Sequence, residues 1–254
     1  MLYVGANDGM MHAFNAATGV EQFAYVPSAA LASMKDLASL NYTHRFINDG
    51  SLRVGDVFQS VSGGTGQWKT VLVGSQGRGG RQVYALDVTD PANFGTSKVM
   101  WEFTDSDFGK FIGKPVFARM NNGRWAVLLG NGYNSDQYHA FLFVIDAITG
   151  ELIRKIDTGT CPTGETPCLS NGLADVTPWD DDGDGNADFA YAGDLRGNLW
   201  RFDLSSTTPS EWKVSFGTDT APLPLYRAKD ASNNPQPITS NVEVLLNPAD
   251  GVRW

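Results

Sequence analysis

The residues best suited to chemistry lie in an acidic segment near position 180. Five aspartates fall within residues 180–188, which read D-D-D-G-D-G-N-A-D. Counted from the first of them, carboxylates occupy positions 1, 3, 5 and 9, glycine position 6 and asparagine position 7, which matches a calcium-binding loop. The glycine allows a sharp turn that directs the next carbonyl toward the ion. The spacing predicts a Ca²⁺ site with these ligands: Asp180, Asp182, Asp184, the carbonyl of Asn186, and Asp188.

The flanking residues separate this loop from a helix–loop–helix calcium site. Position 12 is Tyr191, where an EF-hand has a bidentate glutamate, and a strand pattern, F-A-Y-A, follows the loop. We therefore expect Ca²⁺ to be held between two strands, with Asp188 as a direct ligand and an affinity on the order of 0.1–1 mM. The alternative is an acidic turn that water alone solvates.

Other polar segments have weaker patterns. Residues 104–109, T-D-S-D-F-G, contain two aspartates and predict a turn instead of a second metal site. Residues 75–81, S-Q-G-R-G-G-R, have no following Lys-Ser/Thr and no helix start, so they predict a hairpin loop and not a phosphate site. His12, His44 and His139 lie apart from any serine or cysteine motif, so the sequence offers no visible nucleophile–base pair.

The two cysteines lie close together in the segment C-P-T-G-E-T-P-C, at Cys161 and Cys168. Its prolines and glycine favour a compact loop that brings the thiols together, so we expect a disulfide and an oxidising compartment. Two unpaired surface thiols are the alternative. A zinc site would need further cysteines or histidines nearby.

The composition indicates a folded all-β domain. The chain has 254 residues, 42% hydrophobic and 19% charged, and its 28 glycines predict many tight turns. A net charge of −9 opposes binding to nucleic acid. No apolar run reaches the roughly 18 residues that a membrane span needs. We expect a single domain over residues 1–254, and strand patterns at both ends indicate a fragment of a longer protein.

A strand–turn–strand unit occurs four times, over residues 2–19, 70–91, 125–150 and 187–204. A glycine ends the first strand of each copy: Gly5, Gly74, Gly130 and Gly193. An aspartate or asparagine ends the second strand: Asn15, Asp87, Asp146 and Asp203. The period of about 55–70 residues exceeds that of an ordinary propeller blade, so loops and insertions must account for the excess.

These repeats predict an incomplete β-propeller of about four to five blades, because stacked small sheets bury both of their faces. The predicted inter-blade packing residues are Trp101, Trp125, Trp200 and Trp212. A short helical insertion is expected near residues 28–40, where Leu31, Met34 and Leu37 recur at helical spacing and are expected to pack into the core.

Several segments together resemble the C-terminal propeller of the PilY family of type IV pilus assembly factors and tip adhesins. They include W-D-D-D-G-D-G-N-A-D-F-A-Y-A-G-D-L-R-G-N-L-W-R-F-D-L, W-K-T-V-L-V-G, V-Y-A-L-D-V-T-D-P, G-K-P-V-F-A-R-M-N-N-G-R-W-A-V-L-L-G-N-G-Y-N-S and Y-V-G-A-N-D-G-M-M-H-A-F. The resemblance extends over nearly the whole chain. It implies a modified seven-bladed propeller, of which this chain holds part, and it implies the same five calcium ligands within residues 180–188.

The resemblance also implies a function. Such a protein is not an enzyme. It supports pilus biogenesis, twitching motility and adhesion at the bacterial cell surface or pilus tip, which it reaches through the periplasm. Its implied partners are pilus components, including minor pilins, and host or abiotic surfaces, and Ca²⁺ occupancy modulates pilus extension against retraction.

Two alternatives come from other classes. A quinone-dependent (PQQ) dehydrogenase fragment is similar in its repeats, at residues 14–19 and 145–150, but such enzymes have adjacent paired cysteines, unlike Cys161 and Cys168. A periplasmic propeller scaffold for protein assembly would not need the acidic loop.

Overall fold

The structure is a computed structural model that describes residues 1–60, 65–159 and 170–245. Four antiparallel sheets follow one another along the chain. The first contains β1 (Leu2–Gly5), β2 (Met11–Phe14) and β3 (Glu21–Tyr25). The second contains β4 (Leu52–Gln59), β5 (Gln67–Ser75), β6 (Gln82–Asp87) and β7 (Val99–Thr104). The third contains β8 (Val116–Arg119), β9 (Trp125–Gly130), β10 (Phe141–Asp146) and β11 (Leu152–Asp157).

The fourth sheet has a small extension. It contains β12 (Leu173–Trp179), β13 (Phe189–Asp194), β14 (Asn198–Asp203) and β15 (Lys213–Val214). A separate hairpin follows, formed by β16 (Phe216–Thr218) and β17 (Ala221–Leu223). After it, β18 (Tyr226–Arg227) pairs with the start of β14.

The sheets stack face to face in chain order. In β9, Val127 and Leu129 belong to a core shared with the second sheet, whereas Ala126 and Leu128 belong to a core shared with the fourth. Because successive side chains of a strand point to opposite faces, burial on both faces explains the unbroken apolar run W-A-V-L-L. A third core joins the first and second sheets. The sheets are therefore blades, and the prediction of an all-β propeller is confirmed.

The blades do not close into a ring within the described residues. Each core joins neighbouring blades, and none joins the first blade to the fourth. Leu2 and Val4 of β1 are 59% and 48% exposed, on the face opposite Tyr3, which packs toward the second blade. This arrangement agrees with the prediction of an incomplete propeller.

Three of the repeated glycines, Gly5, Gly130 and Gly193, lie against the segment that follows their own blade, whereas Gly74 lies against Tyr84 and Leu52 of its own blade. A Cβ atom on Gly130 would lie 2.1 Å from the carbonyl oxygen of Ala174, near the start of β12. The same atom on Gly5 would lie 2.6 Å from the Asn48 carbonyl oxygen, and on Gly193 2.3 Å from Ile238. A side chain at Gly5, Gly130 or Gly193 would force that segment outward, which explains the glycine at these three positions.

The aspartate or asparagine at the end of each second repeat strand closes the turn that follows. Asp146 Oδ1 accepts hydrogen bonds from the backbone N–H groups of Ile148 and Thr149, at 2.9 and 2.8 Å. Asn15, Asp87 and Asp203 make equivalent bonds two or three residues ahead. These short side chains mimic a backbone turn, so their repetition reflects turn geometry.

The helical insertion between the first two blades is confirmed, but its packing differs from the prediction. It comprises the α-helix α1 (Leu31–Met34) between two 3₁₀ turns, Ser28–Ala30 and Lys35–Ala38. Leu31 is 61% exposed, so the expectation that it packs into the core is wrong. The inward side of the insertion is formed instead by Ala30 and Met34, four residues apart: Ala30 is buried, and Met34 packs against Gly9.

Three further 3₁₀ turns occur among the described residues, at Pro91–Asn93, Thr96–Lys98 and Pro209–Glu211.

The tryptophans pack between blades as predicted. Trp101 of the second blade donates from Nε1 to the Ala147 carbonyl of the third, at 3.1 Å. Trp125 meets Trp68 of the second blade with ring centroids 6.0 Å apart. Trp200 and Trp212 belong to the core between the third and fourth blades.

Two sequence expectations, the disulfide and the C-terminal strand, fall partly or wholly beyond the described residues. Cys161 and Cys168 lie outside them. Residues 241–245 form no strand, and the rest of the strand expected there lies outside as well. Among the described residues, no helix combines the length and apolar character needed to span a membrane.

Candidate metal centre

The acidic loop connects β12 to β13 on the fourth blade. Its base is tied by the strand pair Trp179–Phe189 and by a 2.9 Å hydrogen bond from the Asp188 N–H to the Trp179 carbonyl. Residues 180–188 therefore form a closed loop whose two ends are held by the sheet.

Three of the predicted ligands converge. One carboxylate oxygen from each of Asp180, Asp182 and Asp188 lies within 4.8 Å of the others. Asp188 is buried at 7% exposure, Asp180 is half-buried and Asp182 is exposed. Like charges this close repel one another, and a cation among them would remove the repulsion. This acidic triad could hold a metal ion.

Backbone hydrogen bonds orient Asp180. Its Oδ1 accepts from the Gly183 N–H at 2.7 Å, and its Oδ2 accepts from the Gly185 N–H at 2.8 Å. Both glycines have left-handed backbone angles, with φ of +83° and +87°. Other residues adopt this conformation at a cost, so the two glycines allow the loop to wrap around the first aspartate.

Asp188 is held by a residue of the neighbouring blade. Asn121, in the turn between β8 and β9, donates from Nδ2 to Asp188 Oδ1 at 3.1 Å and to the carbonyls of Ala187 and Leu204 at 3.3 Å. The Asp181 N–H donates to the other Asp188 oxygen at 2.8 Å. The sequence reasoning missed Asn121, whose only local signal is its place in the turn N-N-G.

Asp184 and Asn186 differ from the other predicted ligands. Asp184 is exposed and is not part of the triad; its oxygens accept from the Asn186 N–H at 2.7 Å and from Asn186 Nδ2 at 2.6 Å. The prediction assigned the backbone carbonyl of Asn186 to the ion. The side-chain Oδ1 of Asn186 is buried and has no hydrogen-bond partner among the described residues.

The donor set fits a hard divalent cation. It consists of oxygens only, which Ca²⁺ and Mg²⁺ prefer over the nitrogen and sulfur ligands of zinc. Within the described ranges, no lysine, arginine or histidine forms a salt bridge with Asp180, Asp182, Asp184 or Asp188. The unpartnered Asn186 oxygen beside this uncompensated charge also fits a cation.

The weaker motifs behave as turns, as predicted. Residues 76–81 join β5 to β6, and Arg81 forms a two-pronged salt bridge with Asp136 at 2.7 and 2.9 Å. In residues 104–109, Lys155 forms salt bridges with both Asp105 and Asp107. His12 pairs with Asp8 and Glu21 at 2.9 and 2.7 Å, far from any nucleophile motif.

Comparisons with known proteins agree with the fold and the repeats. The profile of a family described as the PilY1 beta-propeller domain matches residues 1–250. A type IV pilus biogenesis factor PilY1 homologue of Xylella fastidiosa is 42% identical over 98% of this chain, and PilY1 of Pseudomonas aeruginosa is 39% identical over 98%. The crystal structure of the P. aeruginosa PilY1 C-terminal domain superposes with a TM-score of 0.78 and 40% identity over 98% of this chain.

The chain represents only part of these proteins. It spans 17% of the Xylella protein, 22% of the Pseudomonas protein and 50% of the solved domain. These relatives are named as pilus biogenesis factors, not as dehydrogenases or assembly scaffolds, and the propeller family is not an enzyme family. From the family match over residues 1–250, this chain belongs to the PilY1 β-propeller family.

Proposed function

We propose that this chain is the calcium-binding propeller of a type IV pilus biogenesis factor. The observation that carries the proposal is the convergence of Asp180, Asp182 and Asp188 in a loop with no protein cation among the described residues. The family match supplies the pilus context. The proposed ligand set comprises Asp180, Asp182, Asp184, the Asn186 carbonyl and Asp188.

The ion would act on the junction between two blades. Asp188 is bonded to Asn121 of the third blade, so fixing Asp188 also fixes the contact between the third and fourth blades. Ca²⁺ bound by the folded loop would stabilise this junction by mass action. Calcium occupancy would thereby alter the surface that the propeller presents to its partners.

The cellular role follows the family. We propose that the protein acts at the cell surface or pilus tip after passing through the periplasm, and that it contacts pilus components and external surfaces. In this role it supports pilus assembly, twitching motility and adhesion. Calcium occupancy modulates pilus extension against retraction.

A matched pair of aspartate variants tests this proposal in cells. Asp182→Asn removes a triad carboxylate, whereas Asp181→Asn changes the adjacent exposed aspartate, which the register does not assign to the ion. Each full-length variant replaces the native gene, and surface pili and twitching zones are measured with the protein level as a control. We expect Asp182→Asn alone to change both readouts. Equal behaviour of the two variants at equal protein level would contradict the proposal.

A further inference from the structure

The turn between β8 and β9 packs against the end of the acidic loop. The Ala187 N–H donates to the carbonyl of Arg119, the last residue of β8, at 2.8 Å, and Met120 pairs with Ala187 in an isolated parallel bridge. Met120 and Ala187 are both buried in the core that the third and fourth blades share. The third blade therefore contacts the loop one residue before Asp188.

The same turn fixes the backbone of Asn121. The Met120 N–H donates to the Arg124 carbonyl at 2.9 Å, and the Gly123 N–H donates to the Met120 carbonyl at 2.8 Å. Gly123 has a φ of +81°, the left-handed conformation that ends a three-residue hairpin loop. Because the turn is closed by these bonds, it holds Asn121 at a defined position beside the acidic loop.

The Asn121 side chain holds the Asp188 carboxylate and the backbone on either side of it. Its Nδ2 lies 3.1 Å from Asp188 Oδ1 and 3.3 Å from the carbonyl oxygens of Ala187 and Leu204. The Asp181 N–H donates to the other Asp188 oxygen at 2.8 Å. With a donor on each oxygen, the carboxylate has a fixed orientation, and each oxygen keeps a lone pair for a cation.

Asp188 differs from the other two triad residues in being held from another blade. The Asp180 and Asp182 carboxylates accept hydrogen bonds from backbone N–H groups of residues 183–185, within the loop itself. The Asn121 amide is uncharged, so it orients a carboxylate without supplying a charge that a metal ion would have to displace. Loss of a hydrogen bond that orients a metal ligand typically lowers metal affinity by about 10–100-fold.

We propose that Asn121 is a positioning residue for calcium, whose amide holds Asp188 in the orientation that binds the ion. This inference rests on the proposed calcium site and adds the reverse of its effect, because thermodynamic coupling is reciprocal. If Ca²⁺ strengthens the junction between the third and fourth blades, then the docked third blade raises the affinity of the loop for Ca²⁺.

Calorimetric titration of the 254-residue chain with calcium chloride tests this role. Asn121→Ala should weaken Ca²⁺ binding by about tenfold or more. Asn122→Ala is the matched control in the same turn, since Asn122 Oδ1 accepts from the nearby Arg124 N–H at 3.0 Å, and it should keep the wild-type affinity. Asn121→Ser, whose side chain is one bond shorter than asparagine, should lose the same affinity and replaces Asn121→Ala if that variant does not fold.

A core variant separates positioning from a loosened blade junction. Val144→Ala, in the core that the third and fourth blades share, should lower the melting temperature in EDTA but leave the Ca²⁺ affinity within about twofold of wild type. The inference is overturned, and the calcium site stands, if the Asn121 variants bind Ca²⁺ as tightly as wild type or if Val144→Ala weakens binding equally. If the wild-type chain binds no Ca²⁺, the calcium site itself fails and the inference fails with it.

Discussion

Two acidic turns in this chain resolve the same electrostatic problem differently. In residues 104–109, Lys155 bonds both Asp105 and Asp107, with its Nζ 2.8 Å from Asp105 Oδ1. Burial lowers the pKa of Lys155, but these hydrogen bonds outweigh burial and hold its pKa above the ordinary value. In residues 180–188, three carboxylates converge and no lysine or arginine of the described chain pairs with them.

The comparison shows why an aspartate count alone does not identify a metal site. The first turn has a counter-charge supplied by Lys155 of β11, so the folded chain itself provides a cation there. The second turn leaves its charge open to an ion from solution. Whether a cluster of aspartates needs a bound cation therefore depends on whether neighbouring lysine or arginine side chains pair with it.

Removing the internal cation should have the largest effect. Lys155→Met keeps the apolar stem near Phe141 and Phe143 but leaves two partly buried carboxylates unpaired. We expect the free energy of unfolding to fall by about 2–3 kcal/mol, measured by urea denaturation in EDTA. Lys213→Met, at an exposed lysine of β15, is the matched control. An equal, small loss in both variants would mean that Lys155 does not serve as the counter-charge.

Removing a triad carboxylate should abolish the response to calcium. At about 10 mM Ca²⁺ and a Kd of 0.1–1 mM, binding stabilises the fold by about 1.4–2.7 kcal/mol, or a melting temperature increase of about 3–10 °C. Asp188→Asn should lose this increase; because both Asp188 oxygens accept hydrogen bonds, the calcium response of the variant is measured against its own melting temperature in EDTA. Asp181→Asn should keep the increase. A full calcium response in Asp188→Asn would contradict the site.

Glu102 lies outside both acidic turns, and uncharged hydrogen-bond donors stabilise its carboxylate. Its contribution to the stability of the fold therefore depends on pH. Burial raises the pKa of Glu102, but hydrogen bonds from Ser28, Tyr25 and Gln82 outweigh it and lower the pKa. Because the folded pKa is depressed, this contribution to stability is present above the unfolded pKa of about 4.3 and is lost as pH falls through the folded pKa.

Glu102→Gln therefore should cost about 1 kcal/mol at pH 7, and this cost should shrink as pH falls through the lowered folded pKa of Glu102, where the wild-type group becomes protonated as well. Urea unfolding across this range measures the difference, with Glu243→Gln as an exposed control. A cost that stays the same from pH 7 to below the folded pKa would show that the charge of Glu102 contributes nothing.

Asp184→Asn should have the smallest effect on the metal-free fold and refines the ligand set. The exposed Asp184 bonds only Asn186, so stability in EDTA should change by less than about 0.5 kcal/mol. If Asp184 turns to the ion as the loop register predicts, calcium affinity should fall about tenfold in calorimetry. Unchanged affinity would restrict the carboxylate ligands to the triad.

The sequence allowed the blades to be predicted because their signals are local. Three of the four repeated glycines lie against the segment that leaves their blade, and the repeated aspartate or asparagine closes the turn after the second strand, so both can be found by spacing. The calcium register is local too, but the side chain of Asp184 prefers a nearby hydrogen bond to Asn186, and such competition is not visible in spacing.

Contacts between distant segments could not be predicted. Asn121 and Asp188 are 67 residues apart, and Lys155 and Asp105 are 50 residues apart. Leu31 shows the same limit, since its exposure depends on where the short helix lies against the first two blades. These features arise from the stacking of blades and have no periodic signature.

Titration of the 254-residue chain with Ca²⁺ by calorimetry, with excess Mg²⁺ present, tests the central claim most directly. The account predicts one Ca²⁺ site that Mg²⁺ fills poorly and that Asp188→Asn eliminates. Absence of binding heat together with an unchanged melting temperature would contradict it and make residues 180–188 a solvated acidic turn.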